Sequence, residues 1–202
     1  AHKPFFQSNP TQSSVVSIDD HSTDIGQKDS SNLNRCIPSN TAATVFFTSG
    51  STKEPRAVLN THAAFVNSTM YMQRFILPHG QCRIPLTTNC QFDPFIDEFM
   101  IPLSIGGTCI VLQRKTTENP TTLKAMIEQF DITLFQTTPF ALELLLDAGW
   151  NPKATTHVLC GGEPLRTDIA TKIPALSIRY GTTETTTYST FCTVKDSAQY
   201  DP

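Results

Sequence analysis

Residues 119–135 read NPTTLKAMIEQFDITLF, and this stretch decides the fold. Asn119 and Pro120 make an N-cap and first-turn pair: the amide oxygen accepts from orphan N–H groups, and proline loses nothing by lacking one there. Leu123, Met126, Ile127 and Phe130 then recur along one helical face. Ile132 to Phe135 follow as a short strand. The alternation continues downstream, with Phe140 to Ala148 as a helix closed by Gly149, His157 to Cys160 as a strand, Thr167 to Ile173 as a helix and Leu176 to Tyr180 as a strand. Strands and helices that alternate through short connections give parallel pairing with both faces covered. The expected class is therefore α/β, a mostly parallel sheet with helices on both faces. In such sheets the ligand site lies at the carboxyl ends of the strands.

Working toward the N-terminus, Cys109 to Leu112 reads as a buried strand after the breaker Gly106-Gly107. Ala63 to Ile76 carries helical spacing, with Phe65, Met72 and Phe75 among its apolar positions. Thr44 to Phe47 is a β-prone run that ends in the hydroxyl-rich turn Thr48-Ser49-Gly50-Ser51-Thr52. Val15 to Ile18 allows one more short strand. Asp19 to Asn40 is rich in Ser, Asp and Asn and reads as exposed loop. Residues 1–40 are expected to be a loop-rich N-terminal remnant of the same subdomain, and residues 41–202 its core.

Composition narrows the partners. The 202 residues are 39% hydrophobic and 16% charged, enough for one sizeable domain with its own core. A formal net charge of -3 provides no basic field for nucleic acid or an anionic membrane surface. No apolar run has membrane-spanning length, and the N-terminus lacks the plan of a signal peptide. Cys36, Cys82, Cys90, Cys109, Cys160 and Cys192 are scattered singly, without zinc-ligand spacing. Reduced thiols and a cytoplasmic location are the expectation.

Three turns carry candidate chemistry. Thr48 to Thr52, with Arg56 beyond, can aim backbone N–H groups and hydroxyls at one anion, although the spacing is not that of a Walker A loop. Tyr180-Gly181-Thr182-Thr183-Glu184 follows a strand; its ring can stack on a nucleobase and its carboxylate can hold phosphate-bound Mg²⁺. Phe92-Asp93-Pro94 sets a carboxylate between apolar residues, where it either caps a helix or meets a ligand amine. Each turn alone is weak; an isolated Asp-Pro is more often a cap.

Their order is far more specific. The chain resembles the adenylation domains of non-ribosomal peptide synthetases, within the superfamily of acyl-CoA synthetases and luciferases. The family's phosphate loop, T-S-G-S/T-T-G-x-P-K-G, resembles Thr48-Ser49-Gly50-Ser51-Thr52 followed by Lys53, Glu54, Pro55, Arg56 and Ala57. Its H-x-x-x-x-N is similar to His62 to Asn67, its F-D to Phe92-Asp93, its G-G-E-x-L to Gly161 to Leu165, and its Y-G-P-T-E to Tyr180 to Glu184. The likeness runs from about residue 41 to the end.

The resemblance implies an ATP-dependent AMP-forming ligase that turns an amino acid into aminoacyl-AMP with release of pyrophosphate. Thioester loading onto a carrier domain bearing phosphopantetheine would follow, in a multidomain parent with condensation domains. It implies that Thr48, Ser49, Gly50, Ser51 and Thr52 embrace the ATP phosphates with Arg56 in place of the family's lysine. Gly161, Gly162, Glu163 and Gly181 would join the nucleotide site and Tyr180 would stack on adenine. Thr183 would touch the α-phosphate, Glu184 would help bind Mg²⁺, and Asp93 would pair with the substrate ammonium. Pro94, Asp97, Gln136, Leu159, Gly161, Arg179, Thr187 and Tyr188 would line the side-chain pocket. Asp97, Gln136 and Arg179 favour a polar or charged side chain, unless Asp97 and Arg179 pair with each other.

The sequence departs from the family pattern at Lys53 and Ala57 for glycine, Arg56 for lysine, Thr182 for proline and Ile178 for asparagine. These leave room for a slow or degenerate enzyme, down to a non-catalytic nucleotide-binding relic; the other alternative, an acyl-CoA or aryl-acid ligase of the same superfamily, is discriminated by Phe92-Asp93. The family's Y-x-T-G-D ribose motif, its hinge and its C-terminal subdomain with a catalytic lysine would follow Pro202. The chain is therefore expected to be an incomplete piece, a partial N-terminal subdomain inactive by itself.

Overall fold

The computed structural model describes residues 25–48, 54–75 and 82–194. The chain divides into two compact units, Ala1–Ile37 and Pro38–Pro202. Of the first, the described part is exposed; its Lys28 N–H donates to the Ile25 carbonyl at 3.1 Å, and Asp29 accepts from the Ser31 N–H at 2.9 Å. The strand expected at Val15 to Ile18 lies outside the described residues.

The second unit opens with β1 (Ala42–Thr48) and β2 (Arg56–Thr61), an antiparallel pair whose register sets Thr48 opposite Arg56. Then come α1 (His62–Phe75), β3 (Arg83–Leu86), α2 (Pro94–Ser104) and β4 (Thr108–Val111). β3 and β4 pair in parallel. After the short α3 (Arg114–Thr117) follow α4 (Pro120–Gln129), β5 (Leu134–Thr137), α5 (Pro139–Asp147), β6 (His157–Gly161), α6 (Thr167–Ala170), β7 (Leu176–Tyr180) and β8 (Thr190–Val194). β5, β6 and β7 are parallel neighbours, and β8 closes their sheet as an antiparallel edge. The Thr133 N–H donates to the Arg83 carbonyl at 3.1 Å, so the sheet of β3 and β4 abuts that of β5 at this point.

Local chemistry accounts for the deciding stretch. The Asn119 side chain accepts from the N–H groups of Thr121 and Thr122 at 3.0 and 3.2 Å, and Pro120 stands at the first helical position. Leu123 and Ile127 are buried. The helix stops where Asp131 turns left-handed at φ 47°, with Ile132 donating back to Ile127 and Asp131 to Glu128. α5 repeats the plan: Thr138 accepts from the Ala141 N–H at 3.3 Å, and Gly149, at φ 81°, lets Trp150 donate back to Leu145.

Helices cover both faces of the central strands. Phe135, Val158 and Cys160 face a core formed with Leu123 and Ile127 of α4, Leu142 and Leu145 of α5, and Ile169 of α6. Trp150 meets Phe135 edge to face, with centroids 5.4 Å apart. Leu134 and Leu159 face the other way, against Met72 of α1, Ile84 of β3 and Ile101 of α2. The one-residue step from Leu134 to Phe135 between the two cores is the period of a strand. Several boundaries shift: β5 begins at Leu134 and not Ile132, and α6 ends at Ala170 and not Ile173. Cys82 and Cys160 are buried free thiols, pushed by burial up to about 11 and about 12.

Candidate active site

The carboxyl ends of β5, β6 and β7 open onto a cleft of about 480 Å³. Its walls come from the loop after β3 (Thr87, Thr88), the start of α2 (Asp93, Pro94), the end of β5 (Gln136, Thr137), the turn after β6 (Gly161, Gly162) and the turn after β7 (Gly181 to Thr183). Arg179, Thr187 and Tyr188 complete it.

Asp93 stands at the N-cap position of α2 in helical geometry, and its side chain makes no capping bond. The more common role of an Asp-Pro, the cap, is thus not the one this residue performs. Asp93 is buried; Oδ1 lies 3.5 Å from the Thr183 hydroxyl, and Oδ2 has no partner. Burial pushes its carboxyl upward, partly offset by nearby backbone N–H groups and the Thr183 hydroxyl, and the Glu184 charge pushes the same way as burial. A buried carboxylate oxygen without a donor is a place that a cation would fill.

The turn after β7 is held from two sides. Thr183–Thr185 form one 3₁₀ turn, in which Thr182 and Thr185 cap each other. Asn60 of β2, buried, donates to the Thr183 carbonyl at 3.1 Å and accepts from the Thr186 hydroxyl at 3.4 Å. Thr186 and Thr187 then adopt left-handed backbone at φ 58° and 75°, a costly pair for β-branched residues and one retained at the cleft wall. This reversal runs the chain back over Gly181, where a Cβ would collide with the Thr187 carbonyl and Tyr188 Cα. Only glycine fits there.

Behind the cleft wall lies a second carboxylate that sequence reasoning did not single out. Glu98 of α2 is fully buried and accepts four hydrogen bonds of 2.8–3.0 Å, from the backbone N–H and the hydroxyl of both Thr87 and Thr88. It fixes the β3–α2 wall. Gln136 is equally committed, donating to the Pro94 carbonyl at 2.9 Å and accepting the Tyr188 hydroxyl at 3.0 Å. The Arg179 guanidinium lies 3.8 Å from the Tyr188 ring centroid, a cation–π contact.

Asp97 is only 1% exposed, and neither of its oxygens is hydrogen-bonded. Pairing with Arg179 is therefore not what occupies it; Arg179 acts on it only at longer range. Burial pushes its carboxyl to about 7, opposed by the Arg179 charge and by Tyr188 and reinforced by the charges of Asp93 and Glu98. In the unfolded chain the group would titrate near the ordinary 3.8. The proton is thus held more tightly when folded, so this stability is complete below the unfolded value and is lost as pH rises through about 7. Asp97→Asn mimics the protonated carboxyl. It is expected to raise the unfolding free energy at pH 8 by roughly 2–4 kcal/mol and much less near pH 4. Urea unfolding at both pH values checks this; a variant no more stable than the parent at pH 8 contradicts it.

The residues singled out from the sequence fall into four groups. Asp93, Pro94, Gln136, Gly161, Gly162, Arg179, Gly181, Thr183, Thr187 and Tyr188 share the cleft. Tyr180 and Glu184 are exposed beside it, on the turn whose neighbours line it, and Glu163 and Arg56 are exposed as well. Leu159 and Asp97 do not reach the cleft surface: Leu159 is packed in the core with Met72 and Ile101, so its expected place in the pocket lining is corrected here. Thr48 ends β1 opposite Arg56, while Ser49, Gly50, Ser51 and Thr52 lie outside the described residues.

The AMP-binding enzyme family model matches residues 2–202. The chain belongs to this family. It is 31% identical over 151 residues to a dimodular nonribosomal peptide synthase of Bacillus subtilis (strain 168), covering 73% of this chain and 6% of that relative. A solved four-domain nonribosomal peptide synthetase bound to AMP and glycine matches 79% of this chain and 12% of its own, at 29% identity and a TM-score of 0.71. A Vibrio cholerae adenylation domain in complex with glycyl-adenosine-5'-phosphate shares the fold, with a TM-score of 0.70 at 18% identity over 80% of this chain and 32% of that one. Among the described residues no helix is long and apolar enough to cross a membrane.

Proposed function

We propose that this AMP-binding chain activates an amino acid: the substrate carboxylate attacks the α-phosphorus of ATP and gives an aminoacyl-AMP. One oxygen–phosphorus bond forms, the bond to the β-phosphate bridge breaks, and its electron pair leaves with pyrophosphate. No protein acid or base is required, so catalysis here is positioning and charge neutralisation. The observation that carries the reading is Asp93, a buried carboxylate whose Oδ2 has no partner, opening on the same cleft as Thr183 and Gly181. A ligand ammonium supplies what that oxygen lacks.

The other assignments rest on the order of the motifs. Tyr180 offers an exposed ring at the end of β7 for adenine, Thr183 lines the cleft with its hydroxyl on Asp93, and by the same motif order Thr48 to Thr52 with Arg56 would take the phosphates. Gly161, Gly162 and Glu163 border the nucleotide. Mg²⁺ in ATP sites is held by one or two carboxylates and the phosphates themselves, and the exposed Glu184 on the turn suits that arrangement. When bound, the ion neutralises phosphate charge. Relatives that are multidomain peptide synthetases support a carrier domain with phosphopantetheine as the acceptor, reached within a longer polypeptide. Residues 41–202 would then be the catalytic core to which such domains attach.

ATP–pyrophosphate exchange on the full-length protein tests this. Exchange with at least one α-amino acid, exceeding that with aryl or fatty acids, is the expected result. Exchange with aryl or fatty acids alone contradicts it, because Asp93 would then face no amine.

A further inference from the structure

One cation in the cleft is left with unused donors. Arg179 is 4% exposed, yet its Nε and Nη1 have no hydrogen-bond partner. Leaving a buried charged donor unsatisfied costs more than leaving a neutral one. The neighbours that might satisfy it are engaged elsewhere. Gln136 spends its amide on the Pro94 carbonyl and on the Tyr188 hydroxyl, and the Tyr188 ring meets the guanidinium only through its face. Asp97 offsets the charge from a distance without a hydrogen bond. The buried Thr187 hydroxyl is likewise unpartnered on the cleft wall.

Arg179 and Thr187 both line the cleft of about 480 Å³, as does Gly161, which stands opposite Arg179 in the β6–β7 register. A Cβ at Gly161 would come within 2.7 Å of the Arg179 carbonyl, so the two strands pack there without room for a side chain. On the reading above, in which Asp93 holds the substrate ammonium, we infer that the preferred amino acid carries a side chain ending in a planar oxygen acceptor, a carboxylate or a carboxamide, received by Arg179 and Thr187. A basic side chain meets like charge there. An aliphatic or aromatic one seals the guanidinium away from water with its donors unpaired. Sites built to hydrogen-bond a substrate reject analogues that lack the group by large factors.

Exchange measured on the full-length protein with Asp, Glu, Asn and Gln against Leu, Phe, Lys and ornithine tests the inference. At least one acceptor-bearing amino acid should exceed the others by about 100-fold or more in kcat/KM. The first two against the second two decide between carboxylate and carboxamide. Arg179→Leu, with Mg·ATP binding by calorimetry as its folding check, should erase that preference; Thr187→Val should reduce it and serves if the first variant does not fold. Strongest exchange with an apolar or basic amino acid overturns the inference and leaves amino-acid activation standing. A folded Arg179→Leu protein that keeps the preference overturns it too. Response to aryl or fatty acids alone, or to no acid at all, overturns both.

Discussion

Asp93→Ala is expected to lower kcat/KM for amino-acid-dependent ATP–pyrophosphate exchange by about 100-fold or more while leaving Mg·ATP binding intact. The reasoning is one of unpaired charge. In the free protein Asp93 is buried with one oxygen lacking any partner, at a loss that burial imposes on the charged form. An arriving ammonium turns that loss into a charge-assisted hydrogen bond. Removing one member of such a desolvated pair costs about 3–5 kcal/mol, which is two to four decades in the rate constant. The residues proposed above for the nucleotide, on the Tyr180–Glu184 turn and at Arg56, are other than Asp93, so ATP affinity should not follow the loss. Exchange kinetics and calorimetry on the same preparation separate the two effects. A variant within a few-fold of the parent would show that no ammonium sits at Asp93.

Glu98→Ala is expected to be the most destabilising single change in the cleft region. The carboxylate takes four hydrogen bonds from Thr87 and Thr88, two of them from backbone N–H groups, and a longer one of 3.5 Å from the Gln136 amide. Truncation leaves those donors buried without acceptors and opens a void beneath the β3–α2 loop. Loss of a buried charged hub costs about 3–5 kcal/mol. Because Thr87 and Thr88 line the cleft, KM for the amino acid should rise as well. Glu98→Gln keeps one acceptor oxygen and should fall between. Urea unfolding of the three proteins checks the order; a Glu98→Ala loss below about 1 kcal/mol would mean the loop is held by other contacts.

The comparison of these two carboxylates shows what a sequence reveals. Asp93 was legible because it sits in an ordered set of motifs between apolar neighbours. Glu98 was not, since nothing local announces that α2 will be a helix whose inward side meets a loop eleven residues earlier. That helix carries Pro102 inside it and lacks a polar capping bond, so its usual start and stop signals are muted. The parallel pairing from β5 to β7 was legible because caps, apolar spacing and helix-ending turns coincide there. β2, β3 and β8 were missed: β2 and β3 are four to six residues long, and β8 is an exposed edge with weak alternation. Asn60 went with β2, although it anchors the turn on which Thr183 and Glu184 stand. Gln136 does line the cleft, but its amide also holds Pro94 and Tyr188 in place, which the sequence did not reveal. Which polar groups remain free is a three-dimensional question, and it is the free ones, on Asp93, Arg179 and Thr187, that define what the cleft can bind.

The most direct test is a crystal structure of the full-length protein with the sulfamoyl-adenosine analogue of the amino acid that exchanges best. The ligand ammonium should lie within hydrogen-bond distance of Asp93 Oδ2, with adenine against Tyr180. An analogue bound with its amine elsewhere, and Asp93 Oδ2 still without a partner, would contradict the account.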